Sequence, residues 1–113
     1  MRPIHFEINV KDIEKIKRFY SKIFSWQFLQ LNKENYWIIK TGEGPGIDGG
    51  LLKSEFSSSS YITVIEVQDI ESTIAKIQSL KGELLIPKRE IRGLGTIAYC
   101  KDPEGNIFGI MQK

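Results

Sequence analysis

One stretch of this chain occurs twice. Asn9-Val10-Lys11-Asp12-Ile13-Glu14 returns 57 residues later as Glu66-Val67-Gln68-Asp69-Ile70-Glu71, with Val, Asp, Ile and Glu kept. Two units of that length match the 113 residues to within one. The flanks repeat as well. Ile4, Phe6, Ile8 and Val10 alternate with His5, Glu7 and Asn9, the period of a half-buried strand. Tyr61, Thr63, Ile65 and Val67 hold the corresponding row of the second copy. Asp12 and Asp69 are placed as helix N-caps, with Glu14 and Glu71 near the positive end of each helix dipole. Ile13, Ile16, Phe19, Tyr20 and Ile23 then follow the 3.6-residue period, as do Ile70, Ile74, Ile77 and Leu80. Gly82 is placed to stop the second helix.

Three strand-like runs follow each helix, at 26–31, 36–40 and 47–53 and then at 83–86, 96–100 and 106–111. Gly42, Gly44, Pro45 and Gly46 supply turn chemistry in one half, and Asp102-Pro103-Glu104-Gly105-Asn106 in the other. The pattern predicts an α+β domain over 1–113, made of two tandem βαβββ modules at 1–56 and 61–113. The serine run 57–60 is a joint too short to separate domains. The modules are expected to share a curved, mostly antiparallel eight-stranded sheet with both helices on one face. A ferredoxin-like βαββαβ domain is the rival. It has too few strands and does not account for the repeat.

Composition narrows the function classes. A formal charge of +2, with 41% hydrophobic and 27% charged residues, describes an ordinary globule. It offers no field for nucleic acid and no run long enough for a membrane span, so neither partner is expected. The N-terminus lacks a signal-peptide core, and a cytoplasmic protein is expected. Cys100 is the single cysteine, which excludes an internal disulfide, and a buried structural thiol is its simplest reading. The basic residues Lys11, Lys15, Lys17, Arg18 and Lys22 read as a solvated helix face.

If each helix covers the apolar row of its first strand, then His5, Glu7 and Asn9 face the other way. Ile62, Val64 and Glu66 do so in the second copy. That opposite face would curl into a trough, the default place for a ligand. His5 is the only histidine, a candidate ligand or base and equally a polar residue on a wet strand. Among the aromatics Trp26, Phe28, Tyr36, Trp37 and Tyr99, core packing is the first expectation. Trp37 and Tyr99 are the candidates to line the trough beside His5, Glu7, Asn9 and Glu66.

The run His5-Phe6-Glu7-Ile8, the helix end Phe19-Tyr20 with Phe24-Ser25-Trp26, and Asp102-Pro103-Glu104-Gly105-Asn106 together resemble the vicinal oxygen chelate superfamily. This is the group of glyoxalases, bleomycin-resistance proteins and extradiol dioxygenases. The resemblance covers the chain end to end and implies the paired βαβββ fold, a small organic ligand and a homodimer. Its metal-using members place a ligand on the first strand of each module and a carboxylate on the last. On this chain those positions fall at His5, at Ile62, at Gly49 or Gly50, and at Gly109. One donor of four is present, so no cofactor is expected.

Three readings follow. The first is a ligand-binding member without the usual metal centre, its trough widened at the three glycines. The second is a metal-dependent lyase, isomerase or dioxygenase with a divalent ion held by His5, Glu7 and Glu66. The third is a non-catalytic interaction module.

Overall fold

The computed structural model describes residues 1–31, 35–53 and 61–113. The serine joint 57–60 lies outside the described residues. Element order is β1 (Pro3–Val10), α1 (Ile13–Phe24), β2 (Gln27–Gln30), β3 (Tyr36–Lys40), β4 (Gly49–Lys53), β5 (Tyr61–Glu66), α2 (Ile70–Ser79), β6 (Glu83–Ile91), β7 (Gly95–Lys101) and β8 (Ile107–Gln112). These are eight strands and two helices in the order βαβββ, taken twice, and the class is α+β. The chain forms two compact units, His5–Ile62 and Met1–Ile4 with Thr63–Lys113. Strand order is β2-β3-β4-β1 in the first and β5-β8-β7-β6 in the second. In each, the first and last strands of the module run parallel, β1 with β4 and β5 with β8, and the other neighbours are antiparallel. A helix between the first strand and the rest allows a parallel partner, whereas short turns allow only antiparallel ones.

Both helices begin where the repeat places them. Asp12 accepts the Lys15 amide at 3.1 Å, and Asp69 accepts the amides of Glu71 and Ser72. Each cap satisfies donors that the helix leaves unpaired, a contribution of roughly 1 kcal/mol. The ends differ. α1 stops at Ser25 in the left-handed region, with its amide on the Ser21 carbonyl. α2 ends at Leu80, and Lys81, not Gly82, takes the positive φ of 70°. Gly82 serves by its size, because a β-carbon there would meet Ile77 and lie 2.9 Å from the Lys101 carbonyl oxygen.

In the first unit α1 covers Ile8, Val10, Ile39 and Leu51, with Phe6, Trp26, Phe28 and Trp37 packed around them. In the second, α2 brings Ile70 and Ile74 onto Val67, Ala98, Cys100 and Ile110. Cys100 is fully buried, and burial pushes its thiol above the ordinary range.

The turn from β3 to β4 is held by Asp48. Its carboxylate accepts the Thr41 amide at 3.0 Å and hydroxyl at 3.2 Å, with Lys40 Nζ at 3.3 Å. The Thr41 amide is the main reason its carboxyl is held below the usual carboxylate range. The contribution is present above the ordinary Asp pKa and is lost as pH falls through the lowered value. In a pH titration followed by NMR, the Thr41 amide shift is expected to move with a midpoint below 3.8, and Asp48→Asn is expected to abolish that movement.

Candidate functional site

Because α1 takes one row of β1, the other row must be satisfied without a helix. That row is His5, Glu7 and Asn9, and all three are buried, at 6%, 0% and 5% exposure. A buried carboxylate and imidazole persist only with hydrogen-bond partners. The partner here is Tyr36 on β3. Its hydroxyl lies 2.7 Å from His5 Nε2 and donates to Glu7 Oε2 at 2.5 Å. A phenol has one proton to give. With that proton on Glu7, the oxygen accepts from the Nε2–H of His5. The His5 and Tyr36 rings lie nearly parallel, 13° apart, with centroids at 6.3 Å.

Register explains why the hydroxyl fits. Glu7 pairs with Gly50 of β4, and Gly50 pairs with Ile38 of β3. Tyr36 is two residues from Ile38 and so shares its face. A β-carbon at Gly50 would run into the Tyr36 hydroxyl and stand 2.7 Å from Cε1 of the ring. The missing side chain at position 50 is therefore the space that Tyr36 fills.

Asn9 is different. Among the described residues neither its amide nitrogen nor its amide oxygen has a hydrogen-bond partner, and both are shut off from solvent. Leaving such a group unpaired costs about 1–3 kcal/mol.

The remaining candidates lie elsewhere. Trp37 points to the helix side, within the α1 core, with Lys17 Nζ 3.6 Å from its ring centre. The expectation that Trp37 lines the open face is corrected: strand alternation sends Tyr36, its neighbour, there. Glu66 and Tyr99 belong to the second unit. There Val64 pairs with Gly109, and Tyr99 pairs with the same glycine across β7. A β-carbon at Gly109 would stand 3.2 Å from Val64 and 3.6 Å from Tyr99. Glu7 and Val64 are 57 residues apart, so their partners Gly50 and Gly109 are equivalent. This resolves the choice between Gly49 and Gly50. Gly49 faces Phe6, whose ring a β-carbon would meet at 2.6 Å.

The glycines therefore do not widen a trough, which corrects that expectation. Tyr36 and Phe6 take up the room at Gly50 and Gly49, and Val64 with Tyr99 closes on Gly109. Nor do the residues fit a metal of the kind the resemblance implies. Its carboxylate positions are glycines, His5 Nε2 and Glu7 are engaged by Tyr36, and the counterpart of His5 in the second copy of the repeat is Ile62. Among the described residues no group of three or more His, Cys, Asp or Glu is placed to hold a metal ion. Tyr36→Phe removes the bridge between two buried polar groups and is expected to lower stability by about 1–3 kcal/mol in urea unfolding, whereas Trp37→Phe should leave the His5 imidazole signals of the NMR spectrum in place.

Comparison with known proteins agrees with this architecture. The family model of the Glyoxalase/Bleomycin resistance protein/Dioxygenase superfamily matches residues 2–110. A probable lactoylglutathione lyase from Vibrio parahaemolyticus is 26% identical over 98% of this chain and 90% of that protein. A lactoylglutathione lyase from Arabidopsis thaliana is 25% identical over 99% of this chain, which spans 44% of its length. Among solved structures, a Streptomyces coelicolor methylmalonyl-CoA epimerase superposes with a TM-score of 0.70 at 15% identity, covering 100% of this chain and 97% of that one. A superfamily member from Vibrio splendidus gives 0.65 at 17% identity, covering 95% and 94%. With its two βαβββ modules and a family match along nearly its whole length, the chain belongs to the glyoxalase, bleomycin-resistance and dioxygenase superfamily.

Proposed function

We propose that this protein binds a small organic ligand on the uncovered face of β1, without the metal centre that other members of its superfamily use. The observation that carries this reading is Asn9. Its carboxamide is buried and offers both a donor and an acceptor with no partner among the described residues. A ligand edge that donates and accepts side by side, as in a lactam or carboxamide, complements it. His5, Tyr36 and Glu7 supply a polar wall two residues along the same strand face. The amide is sealed in the free chain, so uptake requires neighbouring side chains to move aside.

An enzymatic reading, a lyase or isomerase like the proteins it resembles, stands second. It is favoured by the continuous hydrogen-bonded chain from His5 through Tyr36 to Glu7, which is able to pass a proton. A homodimer also belongs to the proposal. Phe19, Ile23, Phe24 and Leu29 are each more than half exposed in the first unit, and apolar surface of that kind marks protein contacts.

Asn9→Leu keeps the branching of the side chain and removes the unpaired amide. It is expected to raise the melting temperature of the free protein by a few degrees, because about 1–3 kcal/mol of buried polar cost disappears. Titrating 15N-labelled wild type with 2-pyrrolidinone should move the backbone amide signals of β1 around Asn9, and the leucine variant should lose that response. A destabilised leucine variant that responds to 2-pyrrolidinone as wild type does would overturn the reading. Sedimentation at micromolar concentration is expected to show a dimer, weakened by Phe19→Glu with Phe24→Glu.

A further inference from the structure

We infer that Tyr36 and Gly50 form a mutually exclusive pair that has removed the first module from carboxylate–metal chemistry and given its donors to a phenol. This rests on the packing of the module and not on the ligand proposed above. In this superfamily the last-strand position would carry the carboxylate. In the first module that position is Gly50, opposite Glu7, and the volume its side chain would need is held by the Tyr36 hydroxyl and ring. The exclusion runs both ways. Any side chain at 50 must displace Tyr36, and while Tyr36 stays it occupies His5 Nε2 at 2.7 Å and Glu7 Oε2 at 2.5 Å.

The two donors that could start a metal site are thereby tied to each other. A divalent ion would have to break both bonds inside a buried site and would gain no third protein oxygen from β4. Zinc and its neighbours need three or four converging donors, so the exchange is unfavourable. What the module keeps is a row of three hydrogen-bonded groups, His5, Tyr36 and Glu7.

The second module is an internal control. Gly109 holds the equivalent position, but a β-carbon there meets nothing nearer than 3.2 Å, and its neighbours Val64 and Tyr99 offer a clash of ordinary size. Glycine at 109 is thus a matter of tight packing. Glycine at 50 is a matter of exclusion.

The test uses the full chain. Gly50→Ala and Gly109→Ala are made alone, and Gly50→Ala is made again with Tyr36→Ala. Melting temperature is read for each. Gly50→Ala is expected to lower it several times more than Gly109→Ala, and most of that loss should vanish once Tyr36 is alanine. Equal losses from Gly50→Ala with and without Tyr36 would overturn the pairing.

The metal arm follows the lone imidazole. Ni, Zn, Mn and Fe(II) salts are added to wild type while the His5 ring 15N signals and the melting temperature are recorded. Neither should change, and the ring should report a protonated Nε2. Tyr36→Ala with Gly50→Glu should then gain stability with at least one of these ions, and His5→Ala should abolish the gain. A His5-dependent metal response in wild type would sink the inference. So would a folded double variant indifferent to all four ions. If the double variant does not fold, the alanine comparison still decides the exclusion.

Discussion

A strand has two faces, and a single helix covers one of them. In the first unit α1 takes the Phe6, Ile8 and Val10 face of β1. The other face carries a histidine, a carboxylate and a carboxamide that the chain still buries. Every distinctive feature of the unit answers to that constraint. Tyr36 is there because Glu7 and His5 need a partner inside the protein, and Gly50 is there because Tyr36 needs room. Asn9, one step along the row, has no partner among the described residues. Burial of polar groups is tolerated where a partner exists and costly where none does.

The two modules solve the same geometric problem with different chemistry. At the position of Glu7 the second module has Val64, at that of His5 it has Ile62, and both are fully buried. Ile97, Tyr99 and Met111 are buried with them. The buried His-Glu pair of β1 is therefore not repeated on β5.

Much of the fold was legible in the residues. The alternation along β1 told which row α1 would cover, and the repeated Asp-Ile-Glu told where both helices begin. Strand pairing was less legible. Tyr36 and Trp37 are adjacent aromatics of similar bulk, and nothing local says which of them looks toward Glu7. A one-residue change of register would exchange them. The same ambiguity held for Gly49 and Gly50, adjacent residues of one kind on opposite faces. At the end of α2 the glycine drew attention, yet Lys81 adopts the left-handed conformation, and Gly82 matters for the space beside Ile77.

Sequence alone therefore determined the architecture: two modules, their helices and the polar row of β1. These depend on period, capping and counting, which are local properties of a chain. Tertiary structure alone decided that Tyr36 bridges His5 and Glu7, that its hydroxyl stands where a side chain at 50 would be, and that Asn9 is left without a partner among the described residues. Those depend on which residues three strands bring opposite one another. That register is set by pairing across β1, β4 and β3, between residues as far apart in the chain as Glu7 and Gly50.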